Sequence, residues 1–435
     1  MNARSRGVML GFAVAAILAI SRPAVAQDGG TDASTVPSCT DTTAFPNPVF
    51  ITGSTAFEPT VLAMALKFND RTIGNGKISL IYNQGSGSCA GVAAVKDNSD
   101  LTGTAHYYPA GTAAAGSAPS CTIPAGVKSD VGISDVFYET CGFGARPANI
   151  GDFPGPVQAM LFVVPGIASS AVPLTITAEE AMDVWGCGAR GMVMPWTVES
   201  AIQQRSQTSG TQNVIARAIN ILASTFRGTP NTGTGNVINS LLNMDNDPQR
   251  GGAGQPPRVS IANPDTAIGF IAADAYDTAV NRARLRSLAF RGIDQTQAFY
   301  ADSASDTFDK KNVRDGHYLA WGYEHLLVRV DASGAPVSAA AKNFVDWVLG
   351  NTTTDENAPG FDLIKEEAGS HVIPLCAMKV KRSSDGGFLS AYTPADPCNC
   401  LFETTASNGP VASCTACADD TTCTGGTHCH HGFCE

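Results

Sequence analysis

The chain has 435 residues, 43% of them hydrophobic and only 15% charged, and its 39 acidic against 28 basic side chains give a formal net charge of −11. That length suits two domains each burying its own core, and the acidic balance makes nucleic acid and anionic membrane surfaces poor partners. Affinity for an anion must then come from local, desolvated donors and not from the long-range field of the protein.

At the N-terminus Arg4 and Arg6 precede the apolar run Val8 to Ile20, and Pro23-Ala24-Val25-Ala26 precedes Gln27. This pattern predicts a signal peptide over residues 1–26, cut after Ala26, and a periplasmic or secreted mature protein of net charge −14 once Arg4, Arg6 and Arg22 are removed. The apolar core is short for a bilayer span and no later stretch approaches about 18 uninterrupted apolar residues, so direct membrane insertion is not expected. Thirteen cysteines in an exported chain imply disulfides in an oxidising compartment. Six are scattered (Cys39, Cys89, Cys121, Cys141, Cys187, Cys376) and seven crowd into residues 398–435. The odd total leaves at least one free thiol or intermolecular link, and Cys121 and Cys141 bracket the segment that contains Asp135.

After a polar lead, residues 27–48, the apolar run Val49-Phe50-Ile51 reads as a strand. Thr52-Gly53-Ser54-Thr55-Ala56-Phe57 follows, and then the helical pattern Val61, Leu62, Ala65, Leu66, Phe68. The strand-like Ile78 to Tyr82 leads through Gln84-Gly85-Ser86-Gly87-Ser88 into a small-residue helix, Ala90 to Val95. An Ala/Gly/Ser-rich stretch, Pro109 to Pro119, reads as a surface insertion, and Val131-Gly132-Ile133-Ser134-Asp135 as a short strand ending in a carboxylate. Val157 to Val164 predicts a strand that crosses first into domain two, Leu174 to Thr177 another strand, and Ala178 to Trp185 a helix. Arg205-Ser206-Gln207-Thr208-Ser209-Gly210-Thr211 stands where a loop enters the helical stretch Gln212 to Leu222. Gly228 to Pro257 shows little periodicity and reads as a long insertion with some helix around Val237 to Leu242. Thr266 to Ile271, His317 to Val330 and the helix Ala339 to Leu349, N-capped by Ser338, complete an alternation that predicts an α/β fold with mainly parallel sheets.

The three Gly/Ser/Thr turns share one chemistry. Each joins a strand to a helix, where the first helical amides lack intrahelical acceptors and the helix dipole adds partial positive charge, so each can hold an oxyanion without a metal. Arg205 adds a permanent cation with a forked set of donors. With these residues assembled, the chain resembles the phosphate-binding proteins of periplasmic ABC transporters, members of the type 2 periplasmic-binding-protein superfamily. Their pattern is a Gly-Ser/Thr loop, a Gly-Ser-Gly loop, a Ser-Asp strand end and Arg-x-Asp-Gly-Ser-Gly-Thr.

The resemblance covers roughly Val49 to Leu375, including Thr266 to Ile271 and Tyr318-Leu319-Ala320-Trp321-Gly322-Tyr323-Glu324. It implies a two-domain fold with two hinge crossings and a ligand cleft. Residues 49–155 and 272–378 would form domain one and residues 156–271 domain two, followed by a disulfide-rich tail over residues 379–435. It implies a phosphate site in which Ser54, Thr55, Ala56 and Ser86 donate from the first two loops. Asp135 would accept the ligand's own proton, and Arg205, Ser209, Gly210 and Thr211 would complete the cage. Where the family has Asp-Gly before Ser-Gly-Thr, this chain has Gln207-Thr208, so a carboxylate that orients the arginine is replaced by a neutral amide.

The reading is a monomeric solute-binding protein for a tetrahedral oxyanion, inorganic phosphate before others, serving the membrane subunits of an ABC transporter without catalysis, metal or cofactor. A secreted phosphatase-like enzyme on a related scaffold is one alternative. No Gly-x-Ser-x-Gly elbow with a following acid and His supports it, nor does a His-Glu-x-x-His pattern. A surface interaction protein using the Cys-rich tail is the other. His428, His430 and His431 beside thiols also permit a zinc reading of the tail, against which the oxidising compartment favours disulfides. His317, His325 and His371 read as structural.

Overall fold

The computed structural model describes residues 36–69, 78–83, 87–107, 118–243, 263–351, 362–425 and 427–435. The expected signal peptide, Ser86 and most of the stretches 109–119 and 244–257 lie outside the described residues.

The chain opens with β1 (Pro48–Gly53), α1 (Glu58–Asn69), β2 (Ser79–Asn83), α2 (Ser88–Asp97), β3 (Thr104–His106), β4 (Ser120–Thr122) and β5 (Val131–Ser134). The 16-residue β6 (Ile150–Pro165) follows, then β7 (Thr175–Thr177), α3 (Ala178–Cys187), β8 (Gln203–Arg205), α4 (Gly210–Ala218), β9 (Thr229–Asn231) and α5 (Thr234–Asn243). After these come β10 (Gly269–Ala272), α6 (Ala273–Tyr276), α7 (Ala279–Arg284), β11 (Leu285–Ser287), β12 (Ala289–Arg291), α8 (Lys311–Arg314) and β13 (Trp321–Arg329). The helices α9 (Ala339–Val348), α10 (Leu363–Gly369) and α11 (Asn399–Ala406) precede a small two-stranded ladder, Cys429–His430 with Phe433–Cys434.

Nine of these strands form one sheet in the order β10-β6-β13-β5-β1-β2-β3-β4, with β11 also on β6. The fold is α/β, but the expectation of mainly parallel strands is corrected. Within this sheet only β1 with β2 and β1 with β5 pair in parallel. β6 and β13 run antiparallel along most of their length, from Trp321↔Ala159 to Arg329↔Ile150, because they carry the chain in opposite directions. Further parallel pairs, β7 with β12 and β8 with β9, stand outside the large sheet.

β6 holds the molecule together. Every residue from Gly155 to Pro165 is buried, as a run apolar but for Gln158 requires of a strand covered on both faces. Its first half pairs with β13, while Met160–Val163 pairs with β10 and Val163–Pro165 with β11. One hydrophobic cluster gathers Phe162, Trp185, Phe270 and Phe290 around the second half. A separate one packs Val49, Ile51, Val61, Val131, Phe344 and Trp347 between β1, β5, α1 and α9. Both parts belong to one compact unit, Val36–Glu435. The segment Thr266 to Ile271 takes shape as β10 against the second half of β6, and β13 is the strand that returns along the first half.

Local signals explain the helix starts. Thr177 and Glu180 exchange side-chain and backbone bonds in a capping box before α3, and Ser338 Oγ accepts the Ala341 amide before α9. Among the cysteines, Cys121 pairs with Cys39 and Cys141 with Cys89, so the two do not pair with each other around Asp135. Cys376–Cys398, Cys400–Cys414, Cys417–Cys429 and Cys423–Cys434 complete six disulfides, and Cys187 is free and exposed. The tail thiols are thus held in disulfides.

The segment preceding the dense cysteines is built into the fold. Arg382 stacks 3.6 Å above the Trp321 ring, and Asp385 accepts from the Phe137 amide (2.9 Å) and the Thr140 hydroxyl (2.6 Å). No described helix is long and apolar enough to cross a membrane.

Candidate anion-binding site

β1 ends at Gly53, whose φ of +132° and whose contact with Ile133 exclude a side chain: a Cβ there would lie 2.0 Å from the Ile133 carbonyl. The Ser54 amide donates to that carbonyl (2.9 Å), and the buried Ser54 Oγ accepts from the Ala56 amide (3.1 Å). The Ala56 N–H therefore turns inward to its own loop. Tyr82 donates its hydroxyl to the Ser54 carbonyl.

Asp135, at the end of β5, is 1% exposed. Burial pushes its pKa up, opposed by hydrogen bonding with Ser54 and Glu324, by the charge of Arg205, and by a further bond with Ser88. The Asp135 amide donates to Ser88 Oγ (3.2 Å) at the first residue of α2. From the other side α4 arrives with Gly210, where a Cβ would lie 2.3 Å from Ser88 Oγ and 2.5 Å from Asp135 Oδ2. Only glycine allows this approach. Ser209 caps α4 by accepting the Gln212 amide, so Gly210 and Thr211 open a helix directed at Asp135. The Cys89 amide donates to the Thr208 carbonyl (3.0 Å), which joins the α2 and α4 ends by backbone.

Arg205 ends β8, a strand placed by the Trp185 indole donating to the Gln203 carbonyl (3.1 Å) and by pairing with β9. Its Nη1 donates to Thr234 Oγ1 (2.8 Å) and its Nη2 to Thr55 Oγ1 (3.2 Å) and the Thr232 carbonyl (3.4 Å). Burial lowers the Arg205 pKa to about 10, against the charges of Asp135 and Asp274. Among the described residues its Nε and Asp135 Oδ1 have no hydrogen-bond partner. The buried site thus keeps an open donor on Arg205 and an open acceptor on Asp135, the complement of an oxyanion that still carries a proton.

Of the residues expected to bind, Ser54, Thr55, Asp135, Arg205, Ser209, Gly210 and Thr211 come together, Ala56 spends its amide on Ser54, and Ser86 is outside the described residues. Ser88 lies on Asp135. The arginine is oriented by Thr234 and not by Gln207, whose carbonyl accepts from Asn213 (2.9 Å). Residues 228–243 are correspondingly not a plain insertion, since β9 and α5 position Thr232 and Thr234.

Three further buried polar residues stand beside the site. Gln158 donates to Asp274 Oδ1 (2.6 Å), and Glu324 is fully buried. Burial, with the charges of Asp135 and Asp277, raises the Asp274 pKa to about 8. Gln158 was legible as a lone amide within an apolar strand. Glu324 lies in the segment Tyr318 to Glu324 that the resemblance includes, without a role assigned to it, and Asp274 had no sequence signal of its own. A cavity of about 490 Å³ opens beside the arginine fork, lined in part by Thr55, Pro59, Thr234, Asp274 and His371.

No protein-family model matches the chain, and no curated protein matches it. Solved structures similar to it include an ABC-type phosphate transport receptor from Vibrio cholerae, 12% identical, with a TM-score of 0.43 over 75% of this chain and 100% of that one. A possible phosphate binding protein from Planctomyces limnophilus is 12% identical, with a TM-score of 0.36 over 72% and 100%. Iron-bound HitA from Pseudomonas aeruginosa is 11% identical, with a TM-score of 0.38 over 83% and 96%. At these scores the overlaps are partial, and the functional reading rests on the residues.

Proposed function

We propose that the protein is a periplasmic or secreted solute-binding protein for a tetrahedral oxyanion, inorganic phosphate before its analogues, which it delivers to an ABC transporter. Residues 156–271 would close as one domain on residues 49–155 and 272–378. The observation that carries the reading is the meeting of the α2 and α4 N-termini at Asp135, with Arg205 bonded to Thr55 across the same site. Helix N-termini and a guanidinium are donors suited to a dianion, and they act without a metal.

Asp135 then sets the choice of ligand. An ionised carboxylate only accepts, so it tolerates an anion that brings a proton and repels one that does not. Phosphate at neutral pH retains a proton and sulfate has none. Calorimetry of the purified protein with phosphate, arsenate and sulfate tests this. Phosphate and arsenate are expected to bind and sulfate to bind far more weakly, by a penalty of several kcal/mol for an unpaired buried charge. Equal affinities for phosphate and sulfate, or none for any of the three, would overturn the reading.

A further inference from the structure

Glu324 is not one of the anion donors, yet the fold aims it at them. β13 pairs antiparallel with β5 in the register His325↔Ser134, Leu326↔Ile133, Leu327↔Gly132, and one step further places Glu324 opposite Asp135. Directly opposed residues of an antiparallel pair have Cβ atoms about 4.5–5.5 Å apart on one face. The pairing of β13 with β6 is broken between Tyr323 and His325, so Glu324 sits at a bulge, a device that re-aims a side chain. Gly322 secures the approach, because a Cβ there would lie 2.1 Å from the Asp135 carbonyl.

Glu324 is 0% exposed, and among the described residues neither of its carboxylate oxygens, nor Asp135 Oδ1, has a donor. Two ionised carboxylates in this position would be acceptors facing acceptors, in like-charge contact and out of water. A single proton between them removes both faults.

We propose that Glu324 holds one proton against Asp135 and thereby determines which protonation state of an oxyanion the site accepts, an inference that rests on the oxyanion reading above. The proton belongs to Glu324: burial first, then the charge of Asp135 and its hydrogen bond, raise the Glu324 pKa well above the usual carboxylate range, while the bond from Glu324 favours ionised Asp135. The other groups facing the pair are Arg205 from β8, Asp274 from α6 and the Tyr82 hydroxyl from β2. Burial raises the Tyr82 pKa, as do the charges of Glu58, Glu324 and Asp135. Held in this way, Asp135 stays a pure acceptor at neutral pH and the ligand must bring the proton. Once Glu324 ionises on the alkaline side, two carboxylates meet the dianion and phosphate affinity falls. Without Glu324, Asp135 loses its donor and takes up a proton more readily, so sulfate is admitted.

The first arm of the test needs no ligand. Carboxyl-carbon NMR of labelled wild-type protein should show a glutamate carboxyl that stays protonated at neutral pH and is missing in Glu324→Gln, a comparison that separates it from Glu367, whose pKa burial also raises; an ionised Glu324 would overturn the pair. The second arm measures phosphate and sulfate binding by calorimetry, with melting curves confirming that each variant is folded. Glu324→Leu should reduce the preference for phosphate over sulfate at neutral pH by roughly tenfold, the value of one hydrogen bond to a charged group. Glu324→Gln keeps an N–H donor and should restore the preference while removing the alkaline loss attributable to Glu324. Unchanged selectivity in Glu324→Leu would overturn the specificity role alone. A protonated Glu324 in a protein that binds neither anion would overturn the specificity role together with the oxyanion reading, and leave the pair standing.

Discussion

Truncating Arg205 to alanine is the most direct perturbation of the site. Its two Nη atoms reach Thr234, Thr55 and the Thr232 carbonyl through three of their four N–H groups, so Nε and the second N–H of Nη1 are the donors left for a ligand. A hydrogen bond to a charged group contributes about 1.5–3 kcal/mol, which corresponds to a loss of about tenfold to roughly 150-fold in phosphate affinity. The loss should fall toward the upper end, because the variant also strips buried Asp135 of the cation that favours its ionised form. Arg205→Lys retains charge without the fork and should lie between the variant and the wild type. Calorimetry with phosphate reads the effect, and a melting curve separates lost binding from lost folding, since Arg205 also links Thr55 to Thr234. A dissociation constant within about twofold of wild type in folded Arg205→Ala would remove the arginine from the site.

Gly210→Ala should abolish tight phosphate binding, because the new Cβ would meet Ser88 Oγ at 2.3 Å and Asp135 Oδ2 at 2.5 Å and push α4 away. Overpacking of this kind costs about 1–3 kcal/mol of stability, and unchanged binding would show that α4 need not approach Asp135. Asp274 is an acid whose folded pKa, about 8, exceeds its unfolded value, so its contribution is greatest below the unfolded pKa and is lost as pH rises toward 8. Asp274→Asn should flatten the fall of stability across the neutral range by up to about 1.4 kcal/mol per pH unit, as read by urea denaturation at several pH values. Replacing Cys89 and Cys141 together by serine opens a disulfide of sequence separation 52 and should cost about 4 kcal/mol of chain-entropy stabilisation. An unchanged denaturation midpoint in that double variant would mean that the unfolded state is not loosened by it.

Much of the fold was legible because its signals are local. The helix from Ala178 to Trp185, the Ser338 cap and the strand run from Val157 to Val164 each follow from a few adjacent residues. Strand direction was not legible in the same way. An alternation of strands and helices permits parallel pairing of β1, β2 and β5, but says nothing of β6 and β13, whose antiparallel register depends on partners more than 150 residues apart in the chain. The cysteine pairing was not legible either, for a related reason. Cys121 and Cys141 are close in sequence, but β4 turns Cys121 toward Cys39 while the 3-10 helix Tyr138–Cys141 carries Cys141 to α2.

The site divides along the same line. Ser54, Asp135, Arg205 and Ser209 stood out as candidates because each sits at a strand end or helix start, where exposed backbone donors announce themselves in the sequence. What orients them was not. Gln207 cannot replace the carboxylate that would steer the arginine, and the structure supplies a hydroxyl instead: Thr234, at the start of α5, takes Nη1 at 2.8 Å. A neutral acceptor holds the fork without neutralising it, so the positive charge of Arg205 is left for Asp135 and a ligand to share. That difference also explains why a stretch with no readable periodicity mattered. Thr234 works through one hydroxyl at one position, and a single hydrogen bond leaves no pattern along the chain.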